Sequence, residues 1–288
     1  MLTLRYGASS IVVAPEHGAG LIGWMLGRTP LLRRGLPQSA VGGNPHTMGC
    51  FPLLPYCNRI GRGRFTWHGS SYELRGNFGD DPHTIHGIGW QRAWRVTEAS
   101  ARAVTLGLVH RPDADWPFAF DASLSYALDE ALSVTISLTS RHSAPAPAGI
   151  GLHPFLPNAG DPVLRFRTDG VWRTGADALP SSFGAPPAAW CCSSPRPVSH
   201  ARLDNCFIGW DGAAEVAAGS ASLRIEVCDA FPCLQVFTPD WADFFCLEPV
   251  SHIPDAVNRS DLPPAQAMRC LAPGETLRGT IRLIPRPR

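Results

Sequence analysis

Leu132-Ser133-Val134-Thr135-Ile136-Ser137-Leu138-Thr139 is the stretch whose reading decides the fold. Every second residue is aliphatic and every residue between carries a hydroxyl. An extended backbone sends the two sets to opposite faces, whereas a helix would scatter them around its axis. The β-branched residues in the run are stiff at χ1 and suit a pleated surface. Working outward, the same period of two recurs at residues 103–109, 123–128, 223–227, 234–238 and 277–284. Turn-forming clusters punctuate these runs: Arg111-Pro112-Asp113, Leu128-Asp129-Glu130, Asp161-Pro162 and Ala272-Pro273-Gly274-Glu275. No window carries a long helical stripe, so the pattern predicts an all-β sandwich of antiparallel sheets. Residues 140–148 and 179–200, rich in Pro, Ala and Ser, lack the pattern. Strands are expected on both sides of each and the composition does not shift there. They read as long loops, and residues 1–288 as a single domain.

Charged residues make up 17% of the 288, while Gly and Pro number 28 each, which favours turns over solvated helices. The net charge of +1 gives no electrostatic reason to expect nucleic acid or an anionic membrane as partner. All 25 basic residues are arginine. Without a lysine side chain there is no imine to pyridoxal phosphate, no Schiff-base catalysis and no P-loop lysine. Nine cysteines, none in a Cys-x-x-Cys pair, form neither a zinc framework nor a secreted disulfide scaffold. Reduced, buried thiols and a cytoplasmic location are expected. The N-terminal residues Met1 to Gly7 lack the apolar run of a signal peptide, and no stretch is apolar enough to span a bilayer.

Five segments concentrate polar groups of catalytic potential. Asn58-Arg59 follows a Pro-punctuated apolar run and precedes a glycine turn; by itself it reads equally as a surface turn. His83 and His86 stand three apart, but no third ligand lies at a familiar metal spacing, and the glycines after His86 point to close backbone approach. In Gly151-Leu152-His153-Pro154-Phe155, His153 would by default be a satisfied core histidine. Asp204-Asn205 fits an ordinary Asx turn. The fifth segment, Phe244-Phe245-Cys246-Leu247-Glu248-Pro249-Val250, is the most informative. A carboxylate buried in such a run costs several kcal/mol unless it is hydrogen-bonded or protonated, which marks Glu248 as a candidate tuned base.

Taken in chain order, these segments resemble the aldose 1-epimerase (galactose mutarotase) family. The resemblance runs from about Gly42 to Ile284. It is carried by Asn58-Arg59-Ile60-Gly61-Arg62-Gly63-Arg64-Phe65 with Tyr72-Glu73-Leu74, then by His86-Gly87, Leu152-His153-Pro154-Phe155, Asp204-Asn205-Cys206-Phe207, Leu234-Gln235-Val236-Phe237-Thr238 and Leu247-Glu248-Pro249. The chain is shorter than the best-known members, and Gly87-Ile88-Gly89-Trp90 replaces their longer Gly-Phe-Asp pattern, so it looks like a bacterial branch.

The resemblance implies a galactose mutarotase-like supersandwich that interconverts the anomers of a monosaccharide without cofactor or metal. It implies Glu248 as base and His153 as acid, with Asn58, Arg59, His86, Asp204 and Gln235 holding the sugar. Trp90 and Trp210 are candidates to stack on the sugar's apolar face, although core packing is the ordinary role of each. A hexose-6-phosphate mutarotase on the same fold is the alternative, with Arg62 and Arg64 offering phosphate contacts beside Arg59. A non-catalytic sugar binder would fit a chain that had lost His153 or Glu248, and this chain has both.

Overall fold

The computed structural model describes residues 1–35, 47–218 and 221–287; Gly42, where the resemblance begins, lies outside them. The alternating run is the strand Leu132–Ser140, alternately buried and half-buried along its whole length. It pairs antiparallel with Phe120–Leu128 on one side and with the last strand, Thr276–Pro287, on the other. Among the described residues these belong to a nine-stranded antiparallel sheet. Its hydroxyl face uses cross-strand pairs such as Thr135 with Thr280, 2.9 Å between oxygens. Its apolar face presents Leu124, Ile136, Ile225 and Ile281 to the core, none with measurable exposure.

A second, eleven-stranded sheet covers that apolar face. Phe166 of the first sheet meets Phe207 of the second edge-on at 5.3 Å, and the Tyr126 hydroxyl donates to Ala19 O at 2.8 Å. The described chain is therefore an antiparallel β-sandwich, as the alternation predicts. The strands in the middle of the larger sheet behave differently from Leu132–Ser140. Phe244–Val250 is buried at all seven positions, and Gly151–Pro157 at six of seven. Strands covered on both faces read as unbroken apolar runs, which is why these lack a period of two.

The two stretches read as loops are not wholly irregular. Ala146–Ala148 pairs with Arg269–Leu271, Pro180–Gly184 with Gly170–Thr174, and Arg196–Pro197 with the strand Val163–Phe166. Such edge strands, rich in Pro and two to five residues long, are held by their partners rather than by their own pattern.

Candidate functional site

The site is built on five consecutive strands of the larger sheet: Asp204–Ile208, Cys233–Phe237, Phe244–Val250, Gly151–Pro157 and Cys50–Leu53. Their register decides which side chains meet. Asp204 opposes Phe237, Gln235 opposes Glu248, Phe237 opposes Cys246, Phe155 opposes Cys246, and His153 opposes Phe51. Directly opposed residues share a face, and so do residues two apart on one strand. Asp204, Gln235, Glu248, His153 and Phe51 therefore project from one face. Leu247, Val236 and Leu152 point the other way, into the core.

The polar loop groups are brought over this floor by a short ladder. Arg59–Ile60 pairs with Thr84–Ile85, and at its end the Asn58 N–H donates to His86 Nδ1 at 3.2 Å while the His86 N–H donates to Asn58 O at 2.9 Å. Because His86 Nδ1 accepts, the ring hydrogen sits on Nε2. Asn58 and His86 both adopt positive φ, 55° and 61°. The next residue must be glycine. Gly87 has φ +70°, and a Cβ there would stand 2.1 Å from Leu54 O. Beneath Asn58, the Cys57 N–H donates to His252 Nε2 at 3.1 Å, while His252 Nδ1 holds Ile253 O at 2.7 Å. Burial pushes His252 down to about 4.

Asn58, Arg59, His86, His153, Asp204 and Glu248 all line one pocket of about 510 Å³. Gln235 lies just under its surface, 2% exposed, and donates from Nε2 to Asp204 Oδ1 at 2.8 Å. Arg59 is held between two carboxylates, 3.4 Å from Asp81 and 3.9 Å from Asp204. At the centre, His153 Nε2 stands 3.5 Å from Glu248 Oε1. The imidazole is fixed by rings, 4.5 Å from Phe155 in a stacked arrangement and 4.7 Å from Phe51.

Electrostatics set Glu248 apart. Burial drives its carboxyl well above the ordinary glutamate value; repulsion from Asp204 adds to this and Arg59 opposes it. Its other oxygen, Oε2, is buried with no hydrogen-bond partner among the described residues. The thiols of Cys50, Cys57, Cys206 and Cys246 are close enough to feel its charge, and burial pushes all four upward as well. Thiols hydrogen-bond weakly, so none of them replaces the solvation that water would give the carboxylate. Burial raises Asp204 too, against the pull of Arg59 and Gln235.

For several residues the ordinary structural role is the one the fold gives. Trp90 and Trp210 are core residues: their indole N–H groups donate to Gly87 O and Ala213 O, both at 2.9 Å, and both rings are buried. The pocket's aromatic wall comes instead from Phe78, Phe155, Phe237, Trp241 and Phe244. Trp241 is 76% exposed, so the one sequence signal for it was a tryptophan inside the turn Pro239-Asp240-Trp241. Arg62 and Arg64 do not line the pocket; Arg64 is solvated on a hairpin and pairs with Glu73 at 2.9 Å. A different arginine, Arg33, does line it, its guanidinium 4.2 Å from the Phe155 ring centre and 4.3 Å from that of Phe244, with Nη2 donating to Met48 O. Nothing in its flanking sequence marks it, because its placement depends on a contact 122 positions along the chain, the Arg33 N–H bond to Phe155 O. His83 and His86 do not converge: His83 Nδ1 accepts the Arg62 N–H at 2.9 Å, and Nε2 holds Asp177 O at 2.8 Å.

The described chain is thus an antiparallel sandwich with a carboxylate and an imidazole side by side at the floor of a pocket lined by polar and aromatic side chains. The chain belongs to the aldose 1-epimerase family, whose model matches residues 1–283. It is 32% identical to the Escherichia coli K12 protein YphB over 285 residues, covering 95% of this chain and 94% of that one. A crystal structure of a candidate aldose 1-epimerase from Escherichia coli K12 superposes with a TM-score of 0.89 at 30% identity, covering 99% and 98% of the two chains. A galactose mutarotase-like protein from Clostridium acetobutylicum shares the fold, with a TM-score of 0.86 at 18% identity and coverage of 99% and 95%. No helix among the described residues is long and apolar enough to cross a membrane.

Proposed function

We propose that this protein is an aldose 1-epimerase that interconverts the α and β anomers of a free monosaccharide in the cytoplasm. The observation that carries the reading is the buried Glu248 carboxyl, 3.5 Å from His153 on the floor of the pocket. Ring opening removes the proton from the anomeric hydroxyl and delivers one to the ring oxygen. Glu248 accepts the first and His153 supplies the second. The C1–C2 bond then rotates, and closure on the opposite face runs the same transfers backwards. Protons and bonds balance within the pair, so the chemistry calls for no cofactor or metal.

Burial serves this role by making Glu248 a stronger base than a solvated glutamate. A sugar hydroxyl reaching the unpartnered Oε2 would favour the ionised form at the moment of binding. Asn58, Arg59, His86, Asp204 and Gln235 supply donors and acceptors for the remaining hydroxyls, with charge-assisted bonds from Arg59 and Asp204. Trp241 and its neighbouring rings offer a face for the C–H side of the sugar.

The phosphorylated-sugar alternative loses Arg62 and Arg64, which stand outside the pocket, while Arg33 is already engaged by a carbonyl and two rings. The test is NMR anomer exchange over a panel of free and 6-phosphorylated aldoses. Acceleration of a free aldose supports the reading. Binding without acceleration of any aldose makes the protein a sugar binder.

A further inference from the structure

A third donor lies beside the acid–base pair. Cys246 precedes Glu248 by two residues on the same strand and therefore shares its face. Its sulfur, a ring nitrogen of His153 and a carboxylate oxygen of Glu248 all lie within 4.8 Å of one another, and all three residues are buried. Glu248 Oε2, buried and without a hydrogen-bond partner among the described residues, is an unsatisfied acceptor on the same carboxylate.

Imidazole nitrogen, thiolate sulfur and carboxylate oxygen are the ligand types of zinc. Bonds of about 2.0–2.3 Å in a tetrahedron place such donors roughly 3.3–3.7 Å apart. The His153–Glu248 separation of 3.5 Å already meets this. The sulfur needs to close by no more than about an ångström, given those bond lengths. Calcium and magnesium prefer all-oxygen shells, so the donor set selects a softer cation.

We propose that His153, Cys246 and Glu248 form a three-ligand site for a thiophilic divalent cation such as Zn²⁺, and that its occupancy switches the enzyme off. Binding releases the Cys246 thiol proton to water. The cation then takes the imidazole and carboxylate lone pairs through which protons would move, and the fourth position opens toward the sugar pocket. Metal capture depends on the geometry alone. The inhibition rests on the acid–base reading above, and the experiment separates the two.

Co²⁺ serves as the optical probe, since a cysteine ligand gives it a thiolate charge-transfer band. The wild-type protein should show this band at one equivalent, lose it when Zn²⁺ displaces the cobalt, and lose anomer exchange in step, with EDTA restoring the rate. Cys246→Ala should keep exchange within about twofold but lose the band. Its Zn²⁺ inhibition constant should rise by at least the about 10–100-fold seen when even a supporting group of a metal site is removed. His153→Asn should also lose the band with the thiol still present, which covers the case in which Cys246→Ala folds poorly. Replacing the exposed Cys228 and Cys270 by serine should change nothing. A band that survives Cys246→Ala, Zn²⁺ inhibition unchanged in that variant, or no band in the wild type would overturn the proposal. A band without anomer exchange would instead count against the enzymatic reading alone.

Discussion

Replacing Glu248 by Gln should cripple the reaction and stabilise the fold at once. The amide preserves shape but cannot accept a proton, so exchange should fall by about 10²–10⁴-fold, or roughly 3–5 kcal/mol of barrier. Sugar binding should persist, because Asn58, Arg59, His86 and Asp204 are untouched and line the same pocket. The stability change follows from the raised carboxyl. Below about 4.5, the ordinary value for glutamate, the group is protonated in both the folded and unfolded chain. Above it the unfolded chain releases the proton while the folded one keeps it, so wild-type stability falls as pH rises until the folded carboxyl ionises. Each pH unit in that window costs about 1.4 kcal/mol. For a chain of 288 residues this is a Tm change of about 2 °C per unit. Glutamine does not titrate, and the opposed Gln235 offers it a buried, unpartnered carbonyl oxygen. Calorimetry over a pH series starting at about 4.5 should therefore show a Tm advantage for the variant that widens until the folded wild-type carboxyl ionises and then levels off, while NMR exchange shows the loss of rate. A variant with wild-type exchange, or one that melts progressively lower as pH rises, would refute the reasoning.

His153→Asn should reduce exchange to a similar extent, and the double variant should be little slower than either single one, because the two groups act in one transfer; polarimetry on all three proteins checks this. His252 acts with the opposite sign. Its folded value of about 4 lies below the ordinary 6.5, so stability is full above that point and declines on acidification toward about pH 4 by about 3 kcal/mol. Denaturant melts across that range should lose this component in His252→Asn. Gly87→Ala should cost roughly 2–4 kcal/mol, since a left-handed φ and a backbone clash combine, and its KM should rise as the Asn58–His86 contact shifts. A free aldose should be turned over faster than its 6-phosphate, and Arg62→Ala and Arg64→Ala should leave both rates unchanged; a phosphate preference lost in either variant would reverse the assignment.

The outer strands were legible because each has one wet and one dry face. Leu132–Ser140 could be assigned from its own eight-residue alternation. The central strands carried a different signal: an unbroken apolar run in which a single carboxylate, Glu248, was out of place. That anomaly singled out Glu248 as the candidate base, and the order of the short polar blocks named residues that the structure brings into or beneath the same pocket. What stayed illegible depends on contacts far along the chain. Arg33 is ordinary in its own neighbourhood and is recruited by Phe155 and Phe244. Trp241 is one residue of a turn with nothing in its neighbourhood to single it out, while Trp90 and Trp210 fill the core, their ordinary expected role. The short edge strands within 140–148 and 179–200 exist only because partners pair with them.

The floor of the pocket also makes the proposed activity an all-or-none property of the chain. Phe51, His153 and Glu248 stand side by side only through pairings between segments roughly a hundred residues apart, the kind of contact that closes slowly in folding. Asp204 and Gln235 come from yet other stretches of the chain. No fragment ending before Phe244–Val250 contains the proposed base, and none beginning after Gly151–Pro157 contains the proposed acid. During refolding from denaturant, recovery of anomer exchange should trail the return of β-sheet circular dichroism, so catalysis would time the last long-range pairings.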